Sequence, residues 1–101
     1  MLEHSVYSVA SPEASAGIIF RDRGHAADVA RSMKITAQDL LGFKVIDRII
    51  PEPPGGAHAD PEAAIRAVGD AVEEELKPLL DLTPAQLRKQ RSDRYLAIGR
   101  V

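Results

Sequence analysis

Apolar residues recur at helical spacing over most of this chain. From Asp60 onward, Ile65, Val68, Val72, Leu76 and Leu79 follow one another at intervals of three or four, drawing one stripe along a long helix. Pro78 falls late in that stripe and is expected to kink or end the helix, since its ring collides with the preceding turn. A last helix follows, with Leu87, Gln90 or Arg91, Arg94 and Ile98 down one side. So few apolar groups on that side predict a peripheral helix, or one held by a partner.

The helix starts are marked locally. Ser11-Pro12-Glu13 and Asp60-Pro61-Glu62 each combine a capping oxygen, a proline suited to the first helical position and an acid for the positive end of the dipole. Thr36 caps a short helix whose inner face is Ala37, Leu40 and Leu41 and whose end is Gly42. Leu82-Thr83-Pro84 restarts the final one. Ala26 to Met33 reads as a further short helix, with Val29 and Met33 one turn apart. Ala14-Ser15-Ala16-Gly17 is small enough for close packing, and Ile18-Ile19-Phe20 supplies bulk before the charged loop Arg21 to Gly24.

Two stretches break the helical pattern. His4 to Ala10 carries Val6, Tyr7 and Val9 and predicts a strand; Val45, Ile46, Ile49 and Ile50 predict a second. Asp47-Arg48 interrupts the alternation of the second, which places one end near an edge or interface. Pro51, Pro53 and Pro54 then close it, because they have no N–H for a ladder. The expected order is strand, helices, strand, long helix: an α/β chain, rich in helix. The strand expected at the very start looks abrupt, which suggests the closing part of a longer chain.

Composition narrows this picture. At 101 residues there is room for one small domain or part of a larger one. Aromatics make up 4% and Trp is absent, so packing falls to Ala, Ile, Leu and Val. With no cysteine there is neither a disulfide framework nor a thiolate metal site. No apolar run approaches the ~20 residues that cross a bilayer, and no export signal opens the chain; a cytoplasmic location is expected. The net charge of −2 hides a division. Seven acids against Arg66 and Lys77 give −5 over 60–81, while residues 83–101 carry +4. Such runs usually form solvated faces that complement each other or a partner. Tyr95 is the only aromatic in the basic part, a poor basis for stacking on nucleic acid.

Catalytic motifs are missing. His4, His25 and His58 lie far apart, so a metal site is not expected. The serines lack a nucleophile elbow, and Gly55-Gly56 is not part of a phosphate-binding loop. His58 is expected to order the Gly55-Gly56 turn by hydrogen bonding within it. The best site candidate on physical grounds is Ser11-Pro12-Glu13, where free N–H groups at a helix start could hold an anion; plain capping is the alternative.

Several separated motifs nevertheless share one pattern: residues 1–9, Ser11-Pro12-Glu13, residues 33–41, residues 45–53, Gly55 to His58, and Asp60-Pro61-Glu62-Ala63. Together they resemble the C-terminal third of the alpha subunits of bacterial acetyl-CoA carboxylase carboxyltransferase. The block from Pro51 to His58 is the most distinctive. The chain departs from the family at Ala14-Ser15, where Gly-Cys is usual, and at Pro54, where Leu is common.

The resemblance implies a partial crotonase-like ββα superhelix: its last strand–helix turn over residues 1–80, then a helical tail over 81–101. It implies transfer of a carboxyl group from carboxybiotin, a co-substrate on biotin carboxyl carrier protein, to acetyl-CoA, giving malonyl-CoA for fatty acid synthesis. No cofactor would be bound covalently, and a carboxyltransferase beta subunit would be the partner in an alpha2beta2 assembly. The family's oxyanion glycine loop would precede Met1, leaving no catalytic residue here. Ser11, Pro12 and Glu13 would be adjacent to carboxybiotin; Gly55, Gly56 and His58 would form a structural turn. The chain alone is expected to be inactive. The competing readings are another crotonase-fold acyl-CoA enzyme and a noncatalytic helical interaction module.

Overall fold

Five α-helices follow one another in the computed structural model, which describes residues 1–100 and, at Arg23, the backbone alone. They are α1 (Pro12–Ile19), α2 (Ala26–Met33), α3 (Ala37–Gly42), α4 (Pro61–Leu80) and α5 (Pro84–Ala97). Single 3-10 turns at Arg23–His25 and Ala57–Ala59 precede α2 and α4. Every expected cap forms. Ser11 Oγ accepts from Ala14 N–H, Thr36 Oγ1 from Asp39 N–H, Asp60 Oδ1 from Ala63 N–H and Thr83 Oγ1 from Gln86 N–H. Pro78 does not end its helix, which runs on to Leu80. So near the C-terminus, the bond a proline removes is one of the last in the helix.

The two expected strands shrink to single bridging residues among the described residues. Leu2 bridges Ile50 in parallel and Val6 bridges Thr36 antiparallel. Residues 1–8 thus run between 48–52 on one side and 35–36 on the other. Neither ladder continues. Pro51, Pro53 and Pro54 cannot donate beyond Ile50, and past Tyr7 the Ser8 hydroxyl donates to Ala10 O at 2.8 Å in a local turn. The expected α/β balance gives way to a helix-rich chain with extended connectors.

The core is small in every sense. Ala16, Val29, Ala37, Leu40, Ala64 and Ala71 are buried, and among the described residues no large side chain is completely so. α1 and α2 pack against each other, and Ala16 and Val29 are their buried residues. On α4 the buried positions are Ala64 and Ala71, one step around from the aliphatic stripe: Ile65 stays 70% exposed and Val72 and Leu76 about half. The small side chains of α4 are thus the inward ones, and Val68 and Leu79 of the stripe are half-buried. Ile18, Ile19 and Phe20 are bare as well.

Shape and area agree. The radius of gyration is 17.1 Å, against about 13 Å for a compact chain of 100 residues. The accessible surface is 7812 Å², where about 5,600 Å² is usual for a monomer of this mass. Large apolar residues such as Val9, Ile18 and Leu80 are among those left exposed.

Candidate functional site

The turn over residues 51–58 is built by its prolines and glycines. Gly56 N–H donates to Pro53 O at 2.9 Å and Ala59 N–H to Gly56 O at 3.1 Å. Gly55 and Gly56 have φ of 89° and 103°, which side chains disfavour. A Cβ on Gly56 would also stand 3.0 Å from the His58 ring. His58 therefore packs over the glycine rather than hydrogen-bonding into the turn.

The residue that orders this turn is Glu52. Its side chain is only 8% exposed. One oxygen accepts from His4 N–H at 2.6 Å and faces the His4 Nδ1 at 3.1 Å; the other accepts from Ala57 N–H at 3.1 Å. Glu52 N–H in turn donates to Glu3 Oε1 at 2.7 Å. Backbone bonds extend the clasp: Ile50 N–H to Met1 O at 2.8 Å, Glu3 N–H to Ile50 O at 3.0 Å, and the terminal amine to Arg48 O at 3.0 Å. The His4 N–H, with smaller help from Ala57 and the imidazole, holds the Glu52 carboxyl below the usual carboxylate range against the opposing effect of burial.

The start of α1 is less open to an anion than its sequence suggests. Pro12 has no N–H, Ser11 Oγ occupies Ala14 N–H at 3.1 Å, and Ser11 O occupies Ser15 N–H at 2.9 Å. Glu13 N–H is the one first-turn donor left without a protein acceptor among the described residues, and the exposed Glu13 carboxylate stands beside it. Ser11 and Glu13 lie on the surface. No hydrogen bond or ion pair joins them to Gly55, Gly56 or His58; the extended segment 4–10 is what connects the two places.

A third feature is a groove of about 1100 Å³ between α4, α5 and residues 45–47. Val6, Val45, Ile46, Leu79, Leu87 and Ile98 supply apolar walls. Two adjacent residues fasten its floor in opposite directions. Arg48 reaches α4, 2.7 Å from Glu74 and 3.7 Å from Glu75, while Asp47 takes two bonds of 2.8 Å from Arg94 of α5. The Arg48 hydrogen bond lowers the Glu74 pKa, and Glu74 raises that of Arg48. The broken alternation at Asp47-Arg48 was the sequence signal for this junction. The Glu52 clasp had none beyond an acid set between prolines, because His4 and Glu3 lie nearly fifty residues away.

Among the described residues no three His, Asp or Glu side chains converge as a metal requires, and no helix is long and apolar enough to cross a membrane. The geometry by itself offers a rigid turn, a nearly closed helix start and a half-lined groove.

Comparison with known proteins supplies the context. The family model described as acetyl co-enzyme A carboxylase carboxyltransferase-like matches residues 1–99. An acetyl-coenzyme A carboxylase carboxyl transferase subunit alpha from Caulobacter sp. (strain K31) is 61% identical over 100 residues, covering 99% of this chain and 31% of that protein. Proteins of the same name from Methylobacterium nodulans and Phenylobacterium zucineum are 61% and 59% identical, each over 99% of this chain and 32% and 31% of their own lengths. The chain thus spans about a third of the length of the curated relatives it matches. With a family model matched along almost its whole length, the chain belongs to the acetyl co-enzyme A carboxylase carboxyltransferase-like family.

Proposed function

We propose that this chain forms part of the alpha subunit of an acetyl-CoA carboxylase carboxyltransferase. In that reaction the carboxyl group leaves a ureido nitrogen of carboxybiotin and joins the methyl carbon of acetyl-CoA. The methyl carbon gives up a proton, the biotin nitrogen gains one, and malonyl-CoA forms. The observation that carries this reading is identity near 60% along the whole chain with proteins of that name. Acetyl-CoA and carboxybiotin on a carrier protein are the substrates, a beta subunit is the partner, and the cytoplasm is the setting.

On this reading the chain belongs to a crotonase-like superhelix, residues 1–80 to its body and 81–101 to its helical tail. The bare apolar surface of residues 6–9 and 18–20 supports it, since a chain packed only on itself would cover such residues. Ser11, Pro12 and Glu13 sit beside carboxybiotin in a limited role. One free N–H can steady one oxygen, while the acid at Glu13 opposes a second negative charge next to it. Stabilising two oxyanions needs more donors than this segment offers. The turn of Gly55, Gly56 and His58 is structural.

A chimera tests the proposal. The corresponding third of the Caulobacter alpha subunit is replaced by this chain, and malonyl-CoA formation is measured with the beta subunit and the biotinylated carrier. Activity close to that of the parent is expected. A chimera that folds and assembles with beta but transfers nothing would overturn the reading. The isolated 101-residue chain is expected to form no malonyl-CoA from free carboxybiotin.

A further inference from the structure

The start of α1 stands at the end of an extended lead, residues 4–10, and that lead is fastened by a carboxylate. At its near end Glu52 accepts from His4 N–H at 2.6 Å, while the other Glu52 oxygen accepts from Ala57 N–H at 3.1 Å. In the middle Tyr7 N–H donates to Ile35 O at 3.1 Å, beside the bridge between Val6 and Thr36. At the far end the Ser8 hydroxyl donates to Ala10 O at 2.8 Å, and Ser11 then caps α1 through Ala14 N–H.

Two fastened points fix both the place and the direction of such a lead; one point fixes its place alone. His4 and Tyr7 are at most about 10 Å apart along the backbone, and Ser11 is within about 14 Å of Tyr7. The two arms are similar in length, so a displacement of His4 about Tyr7 reaches Ser11 at a similar size. The Glu52 side chain is only 8% exposed within this chain alone, and further protein around it can add cover but take none away. Unpairing a shielded carboxylate from two N–H groups is costly, so the tie is firm. It joins the lead to the turn of residues 51–58, which is already shaped by its prolines and by Gly56 N–H to Pro53 O at 2.9 Å.

We propose that Glu52 is a positioning residue for the carboxybiotin side of the reaction. By tying His4 N–H to the turn at Ala57, it aims residues 4–10 so that the start of α1 stands where the biotin group binds. This role rests on the reading that places Ser11, Pro12 and Glu13 beside carboxybiotin. Glu52 itself touches no substrate. Because the helix start it aims serves biotin, binding of the CoA substrate is not expected to depend on it.

The alpha-subunit chimera assembled with beta tests this in the reverse direction, from malonyl-CoA to free biotin, so that docking of the carrier protein does not enter. Glu52→Ala is expected to raise the KM for biotin by about tenfold, a fraction of the roughly hundredfold that a misplacement of about 1 Å can cost. The KM for malonyl-CoA should change by less than about twofold. Glu52→Gln keeps one acceptor oxygen and is expected to recover part of the loss. A purely structural role would reduce the amount of working enzyme, and hence kcat, and leave both KM values alone; that result overturns the positioning role. An equal rise in both KM values also overturns it. If neither variant assembles, hydrogen exchange on the unmutated assembly decides: a slow His4 amide supports the tie, and a freely exchanging one overturns it. An unmutated chimera that assembles but transfers nothing would instead overturn the alpha-subunit reading itself, and this role with it; that outcome is distinct because it involves no change at Glu52.

Discussion

Residues 1–6 and α5 both lie against the stretch that follows α3, yet they are fastened by different means. The first is held along its length: Met1, Glu3 and His4 all bond to residues 48–52, through backbone groups and a Glu52 side chain shielded from water. The second is held at one point, by a half-exposed guanidinium. A polar group withdrawn from water is costly to leave unpaired, so the clasp resists opening. An exposed pair loses little when water replaces its partner. The two attachments thus differ both in the number of bonds and in their shielding from water.

Removing the clasp should give the largest effect. Glu52→Ala frees the His4 and Ala57 N–H groups together and is expected to lower the melting temperature more than any surface charge change. Hydrogen exchange at Glu3 and Ile50 should accelerate with it. If those amides keep their protection, the backbone bridge holds residues 1–6 without the carboxylate.

The same carboxylate sets a pH dependence. Its folded pKa is depressed, so the folded state binds fewer protons there than the unfolded state. That stability is fully present above the ordinary Glu value of about 4.3 and is lost as pH falls through the lower folded value. Denaturant midpoints measured from pH 6 down to pH 2 should fall in wild type. Glu52→Gln should start lower and decline less. An equal decline in both assigns the acid sensitivity to other carboxylates.

Gly56→Ala tests the turn against which the clasp closes. With φ at 103° and the His58 ring 3.0 Å from the added carbon, it is expected to cost about 2 kcal/mol in denaturant unfolding. Adding His58→Ala should recover the steric part and leave the backbone part. Arg94→Ala, by contrast, should change global stability by less than about 1 kcal/mol. A larger loss would make α5 part of the folded core. The smallest effect belongs to Lys34, the left-handed residue that ends α2 at φ 53°. Lys34→Gly should gain about 0.5 kcal/mol by relieving that conformation, less the entropy glycine adds to the unfolded chain.

How much of this could be read before the fold was known depends on distance along the chain. The starts of α1, α3, α4 and α5 were legible because a cap and the N–H it accepts lie three residues apart. The peripheral place of α5 was legible too, since its one side bears arginines where a packed helix has aliphatics. The two strands were not. Val6, Val45 and Ile50 favour extended backbone, but a strand also needs a neighbour, and each found only a single bridging residue. The α4 stripe misled in a similar way: spacing located the larger apolar residues, while Ala64 and Ala71, one step around, are the buried ones.

The site divided along the same line. Gly55 and Gly56 were readable as a turn, and Ser11-Pro12-Glu13 as a helix start. That Ser11 occupies the donors it was thought to offer appears only with the helix in three dimensions. Sequence by itself determined where helices begin, where the chain turns and which family it belongs to. These follow from groups a few bonds apart or from a pattern of residue types. Tertiary structure alone decided that Glu52 would join His4 to Ala57, that Asp47 and Arg48 would part toward different helices, and that α5 would depend on Arg94. Those contacts span up to 49 residues, and at such separations it is the path of the backbone that sets which groups meet.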